Sequence, residues 1–341
     1  MRIGLLTGGG DCPGLNAVIR AATRRAIETY GWEVVGFRDG WKGVIEGWYE
    51  PLTQKSVVGI LHRGGTVLGT SRTNPMKKPE LWSKLMDGLK KSGVDVLIPI
   101  GGDDTLSVAL KMHQEGFKVV GVPKTIDNDI SGTDFTFGFN TAVQIVCEAL
   151  DRLQTTGESH HRIMVAEVMG RHTGWIAVHA GIASSADAIL IPEVPFDLDD
   201  LCTRMKRRQE RKHFSLVVVA EGAAPQEGQA VLLSQERDSF GNVRLGGIGQ
   251  LVGDYFEKQT GIETRVTVLG HIQRGGSPTA YDRILATRFG VRAVDAVKSG
   301  DFGKMVALRM QKIIVTPLEE GVQEKKMVDN ELFEIARLFF S

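Results

Sequence analysis

At 341 residues the chain exceeds the usual limit for a single hydrophobic core, which makes two domains the expectation. A content of 42% hydrophobic and 24% charged residues, with no apolar run as long as a membrane span, predicts a soluble globular protein and excludes a helical membrane anchor. Lys plus Arg equals Asp plus Glu at 41 each, so no global field recruits nucleic acid or an anionic membrane, and any anion site must be local.

The first predicted strand, IGLL, runs straight into a glycine loop without the apolar stretch and cleavage site of a signal peptide, which points to the cytoplasm. Cys12, Cys147 and Cys202 are odd in number and lack metal-ligand spacing, as expected of reduced thiols; Cys12 beside the loop is either a plain thiol or a reactive one. Further short β-branched runs follow, WEVVGF, VDVLIPI, KVVGVP, RIMVAEV, AILIPEV, SLVVVAEG and TRVTVLG, each leading into a glycine-containing turn and a helical pattern. Continuous rather than alternating apolar runs predict parallel strands covered by helices on both faces. Ligands then belong at the strands' C-terminal ends. The stretch from 224 to 247 reads as a polar excursion with a turn at Gly241 and Asn242. The basic run Arg204 to His213 reads as a solvated helix face or an anion site.

Four groups at those strand ends carry chemistry. Gly8, Gly9, Gly10 and Asp11 precede a helix starting near Leu15; glycines let a backbone approach phosphate oxygens, and a helix N-terminus adds N–H donors, although a tight turn alone would also use them. Gly101, Gly102, Asp103, Asp104 and Thr105 form a second such turn, in which Asp103 either serves Mg²⁺ or caps the helix. The segment PKTIDNDI brings Lys124, Thr125, Asp127 and Asp129 together, supplying a general base beside a hydroxyl and a cation. Finally, Arg162, Arg171, Arg265, His271 and Arg274 gather cations suited to a phosphate dianion, and Glu221 follows an apolar strand where it could accept from sugar hydroxyls.

Taken in order, GGDCPGLNAVIR, RGGTVLGTSR, GGDDT, PKTIDNDI, SHHRIMVAEVMGRHTG, AEG and LGHIQRGGSPTAYDRILATR resemble the phosphofructokinase family over most of the chain. The resemblance implies two similar three-layer α/β domains with mostly parallel sheets. Residues 1–137 plus about 273–323 would bind the phosphoryl donor, and residues 138–272 plus about 324–341 would bind fructose 6-phosphate. It implies Asp127 as the base on the sugar's 1-hydroxyl, supported by Thr125 and Asp129, with Arg72 and Arg171 bridging the transferring group. Asp103 would serve Mg²⁺, and Gly10 and Gly102 would admit the donor. His271 and Arg274, with Arg162 and Arg265 from a neighbouring subunit, would hold the 6-phosphate, while Met169, Gly170 and Glu221 line the sugar. A homo-oligomer, at least a dimer and usually a tetramer, is then required.

Within the family the chain is similar to pyrophosphate-dependent members, which have Asp and Lys where bacterial ATP-dependent members usually have Gly at the positions of Asp104 and Lys124. The correlation has a physical basis. A carboxylate at Asp104 would lie next to an ATP α-phosphate, and two like charges ~4 Å apart cost ~4 kcal/mol at an effective dielectric of 20. Lys124 instead offers an ammonium to compact pyrophosphate. Because Lys124 also occurs with ATP-type loops, Asp104 carries more of the inference. Gln54, Gly59 and Gln154 stand where regulated bacterial members grip their effectors, which argues against control by those ligands. The rivals are an ATP-dependent 6-phosphofructokinase, a lipid or NAD kinase with a similar GGDDT loop, and a non-catalytic sugar-phosphate sensor.

Overall fold

The computed structural model describes residues 1–226 and 246–340. The predicted turn at Gly241 and Asn242 lies outside them, as does most of the polar excursion. The chain divides into two compact units, residues 1–141 with 274–325 and residues 142–273 with 326–341.

The first unit starts with β1 (Arg2–Thr7), α1 (Leu15–Arg24), β2 (Glu33–Phe37), α2 (Trp41–Glu46) and β3 (Tyr49–Leu52). It continues through α3 (Pro79–Ser92), β4 (Val96–Gly101), α4 (Asp103–Gln114), β5 (Val120–Thr125) and the two-residue β6 (Phe137–Gly138). Helix α5 (Phe139–His160) begins in this unit and continues in the other. The second unit carries β7 (Ile163–Val168), α6 (Trp175–Ala183), β8 (Ala188–Leu190), α7 (Leu198–Lys212), β9 (Ser215–Ala220), α8 (Ile248–Thr260) and β10 (Thr264–Val268). The chain returns to the first unit with α9 (Ala280–Ser299), β11 (Lys304–Arg309), β12 (Lys312–Pro317) and α10 (Leu318–Val322), and ends in the second with α11 (Asn330–Arg337).

The first sheet has the order β12-β11-β5-β4-β1-β2-β3, with β6 beside β5. Its interior ladders are parallel, while β3 and β12 close the two edges antiparallel. The second sheet, β10-β7-β9-β8, is parallel throughout. Every residue of β4, β7 and β9 is buried, which accounts for their continuous apolar sequences. One core gathers Leu6, Phe37, Leu85, Leu97, Leu106 and Met305. The other gathers Val165, Leu190, Leu201, Met205, Val217 and Phe256. Full burial of one such Leu or Phe contributes about 1.5–3 kcal/mol, and these contacts fix the strand ends from which the polar loops emerge.

All eight apolar runs recognised in the sequence are strands; β3, β6 and the β11–β12 hairpin are additions. Pro51 in β3 sits at a sheet edge, where a missing N–H costs no ladder bond.

Candidate active site

In the first unit, the loops after β1 and β4 are built against each other. Gly8 donates its N–H to the Ile100 carbonyl (2.9 Å), and a Cβ on Gly8 would meet Thr105 Oγ1 at 2.5 Å. Gly101 approaches the same threonine, so Thr105 is the wedge that requires glycine in both loops. Gly9 has φ +76° and Gly14, at the start of α1, has φ +112°, conformations that side chains rarely adopt. Thr70 Oγ1 donates to the Gly9 carbonyl at 2.6 Å. Gly102, not Asp103, is the capping residue of α4, which leaves Asp103 and Asp104 in the first turn, partly exposed and favourably placed toward the helix's positive end.

Lys124 is buried beneath this loop and donates from Nζ to the Gly10 carbonyl. Desolvation by burial lowers its pKa. Arg274 reaches the same place: its Nη1 lies 3.4 Å from the Asp11 carbonyl, and a Cβ on Gly10 would meet it at 2.6 Å. Two cations thus flank the Gly10 loop, one from β5 and one preceding α9. Cys12 is fully buried, with Sγ 3.7 Å from the Phe137 carbonyl and its pKa pushed up to about 12 by desolvation, so it is a plain thiol. Arg72 is exposed in the loop ahead of Pro75.

The segment after β5 is a locked turn. The Asp127 N–H donates to Thr125 Oγ1 (3.0 Å), Thr136 Oγ1 donates to the Thr125 carbonyl (2.8 Å), and Asn128 Oδ1 accepts the Thr136 N–H (3.1 Å). Asn128 has φ +53°, which a short polar side chain tolerates best. Asp127 and Asp129 are buried at 4% and 8% exposure. Lys325, which sequence reading did not single out, joins them: Nζ lies 3.1 Å from Asp129 Oδ2 and 3.4 Å from Asp103 Oδ2. Burial opposes its charge, but the two carboxylates prevail and raise its pKa. Within QEKKMVD nothing distinguishes this lysine from a solvated charge run.

Asp103 and Asp129 therefore converge on one cation. Two hard carboxylate oxygens suit Mg²⁺, whose other ligands are commonly water and phosphate oxygens. Among the described residues no third acidic, His or Cys side chain joins them.

In the second unit, β7 delivers Met169, Gly170 and Arg171. Arg171 sits at φ +53°, its N–H donating to Glu221 Oε1 (3.0 Å), and Gly222 is too close to the Arg171 carbonyl for any side chain. Glu221 thus holds the Arg171 backbone in its left-handed conformation. The buried Gln273 accepts from the Met169 N–H (3.3 Å) and donates to the Gly270 carbonyl (3.1 Å), tying that loop to the turn bearing exposed His271. Arg162 and Arg265 share one partner, Glu263, with Arg162 Nη2 at 2.9 Å. The Arg162 hydrogen bond is the main force holding the Glu263 carboxyl below its usual range. Met169 is half-buried, whereas Arg265 is exposed on β10, a strand at the sheet edge.

The basic run forms the second half of α7, and its Arg208 pairs with buried Asp187 at 2.7 Å. A buried carboxylate, Glu167, was also missed by sequence reading. It accepts N–H groups from Gly247 (3.1 Å) and Gly249 (2.8 Å) and so anchors the start of α8.

The family model described as Phosphofructokinase matches residues 2–297. The chain is 57% identical over 340 residues to a pyrophosphate–fructose 6-phosphate 1-phosphotransferase of Amycolatopsis methanolica, covering 100% of both chains. It is 52% identical over 341 residues to ATP-dependent 6-phosphofructokinase 2 of Streptomyces coelicolor, again covering 100% of both. Among solved structures, a phosphofructokinase of Saccharomyces cerevisiae superposes with a TM-score of 0.82 at 33% identity, over 99% of this chain and 46% of that longer one.

Proposed function

Because the chain belongs to the phosphofructokinase family, with phosphoryl transfer to fructose 6-phosphate as its reaction, we propose that its donor is pyrophosphate, that the transfer is reversible, and that Mg²⁺ assists it. The observation that carries this reading is the pairing of Asp104 in the first turn of α4 with Lys124 buried under the Gly10 loop. The carboxylate disfavours a nucleotide α-phosphate; the desolvated ammonium favours a small, highly charged donor.

In this reading the 1-hydroxyl of the sugar attacks in line and gives its proton to Asp127, whose orientation Thr125 fixes through the Asp127 N–H. Lys124, Arg72 and Arg171 stabilise charge on the transferring and leaving oxygens, and the turn at Asp129 supports the base. Asp103 and Asp129 would hold Mg²⁺, which when bound neutralises phosphate charge. Met169, Gly170 and Glu221 serve the sugar, and His271, Arg274, Arg162 and Arg265 serve its 6-phosphate. Arg162 and Arg265 act in the site of a neighbouring copy, so the active form is a homo-oligomer.

The test is kcat/KM for pyrophosphate and ATP at fixed Mg²⁺ in the wild type, Asp104→Gly, Lys124→Gly and the double variant. The wild type should prefer pyrophosphate, and only the double variant should use ATP well, since neighbouring loops couple non-additively. A wild type that prefers ATP overturns the donor assignment.

A further inference from the structure

Lys325 enters the donor-side unit from the last segment before α11, and it is placed there by backbone as well as by charge: residue 325 forms an antiparallel bridge with Ile130, immediately after the Asp127–Asp129 turn. Its ammonium lies 3.1 Å from Asp129 Oδ2 and 3.4 Å from Asp103 Oδ2, the two oxygens assigned above to Mg²⁺. Asp129 is only 8% exposed, so a bare pair of carboxylates there would carry a large desolvation and repulsion cost. The Lys325 side chain, at 33% exposure, keeps an outlet to solvent on a flexible four-carbon stem.

We propose that Lys325 is an internal counter-ion that holds the Asp103–Asp129 pair in the metal-free enzyme and competes with Mg²⁺ for it. A divalent cation and an ammonium on the same two oxygens repel each other, so metal entry requires Lys325 to leave. Metal alone therefore binds weakly. When the donor arrives with the metal, its phosphate oxygens accept the displaced ammonium, and the penalty falls. Lys325 thus couples metal binding to donor binding, acting through the carboxylates as a positioning residue.

This inference rests on the assignment of the metal to Asp103 and Asp129, and the experiment separates the two. Mn²⁺ is titrated by electron paramagnetic resonance, with Mg²⁺ as competitor, into the wild type, Lys325→Met, Lys325→Gln, Lys325→Arg and Asp103→Asn, with and without inorganic phosphate. Lys325→Met and Lys325→Gln should bind Mn²⁺ alone about tenfold more tightly than the wild type, a partly screened like-charge effect. Their gain in metal affinity on adding phosphate should shrink correspondingly. Lys325→Arg, which keeps the charge, should resemble the wild type. Mg²⁺ should also raise the Tm of Lys325→Gln more than that of the wild type. Unchanged or weaker Mn²⁺ affinity in the neutral variants, with Asp103→Asn still abolishing it, overturns the role of Lys325. Unchanged affinity in Asp103→Asn overturns the metal assignment itself.

Discussion

In each unit a pair of like charges at the candidate site shares a single opposite charge, and the two clusters are built differently. In the first unit, Asp103 and Asp129 share Lys325, with Asp129 buried at 8% exposure and fixed by a locked turn. In the second unit, Arg162 and Arg265 share Glu263, whose side chain is 43% exposed next to the edge strand β10. The buried cluster sits in a medium that strengthens charge interactions and forbids leaving them unpaired; the exposed one is screened and can exchange partners at little cost. Side chains in the first setting have their orientation fixed in advance, whereas those in the second stay free to change partners.

The strongest way to break this comparison is at the buried end. Asp127→Ser should lower kcat by about 10²- to 10⁴-fold while leaving fructose 6-phosphate binding nearly intact, since a general base acts on the barrier. Steady-state kinetics together with equilibrium binding of the sugar phosphate check it; near-normal turnover removes Asp127 as the base.

Asp282 shows what burial does to a carboxylate given hydroxyl and amide partners instead of a cation. Its Oδ2 accepts the Thr141 N–H (2.8 Å) and Oγ1 (2.5 Å), and desolvation by burial pushes its pKa up from 3.8 to about 6. The folded state therefore binds the proton more tightly between about pH 4 and 6, so stability falls as pH rises through that window and the penalty persists above it. Asp282→Asn should flatten that dependence and stabilise the neutral-pH enzyme by at most about 3 kcal/mol. Urea unfolding across pH 4 to 8 measures it, and an unaltered pH slope would refute the shift.

At the exposed end, Arg162→Ala and Arg265→Ala should each raise KM for fructose 6-phosphate about 10- to 100-fold, the loss of one charge-assisted phosphate contact. Mixing Arg162→Ala with Asp127→Ser should restore some activity if the arginine serves a neighbouring copy; demonstrated mixed oligomers without activity would make each site the work of one chain.

The smallest effect belongs to Glu263→Gln. If Glu263 competes with the 6-phosphate for both arginines, the variant should lower KM by a few-fold at most, because screening weakens exposed pairs. A raised KM would show that Glu263 orients the arginines instead of restraining them.

Local chemistry made much of this legible. Parallel strands announced themselves as uninterrupted apolar runs, and β4, β7 and β9 are buried along their whole length. The glycine loops declared themselves by their place at strand ends, and the turn after β5 by its two carboxylates beside a hydroxyl. The β11–β12 hairpin did not, because its turn residues Met310 and Gln311 have φ of +44° and +68° without being Gly or Asn, the usual signal. Nor could the sequence single out Lys325, Glu263 or Gln273, since a charge or amide in a polar stretch reads the same whether it faces water or a partner.

Sequence by itself determined the strand pattern, the position of each glycine loop and the supply of carboxylates and cations, because these depend on residues adjacent in the chain. Tertiary structure decided which charges share a partner. The Lys325 ammonium meets Asp103 at a separation of 222 residues and Asp129 at 196, and Lys124 meets the Gly10 carbonyl at 114. Distances of that kind are set by the packing of the core, and only the folded chain establishes whether a charge is desolvated, compensated or left to the solvent.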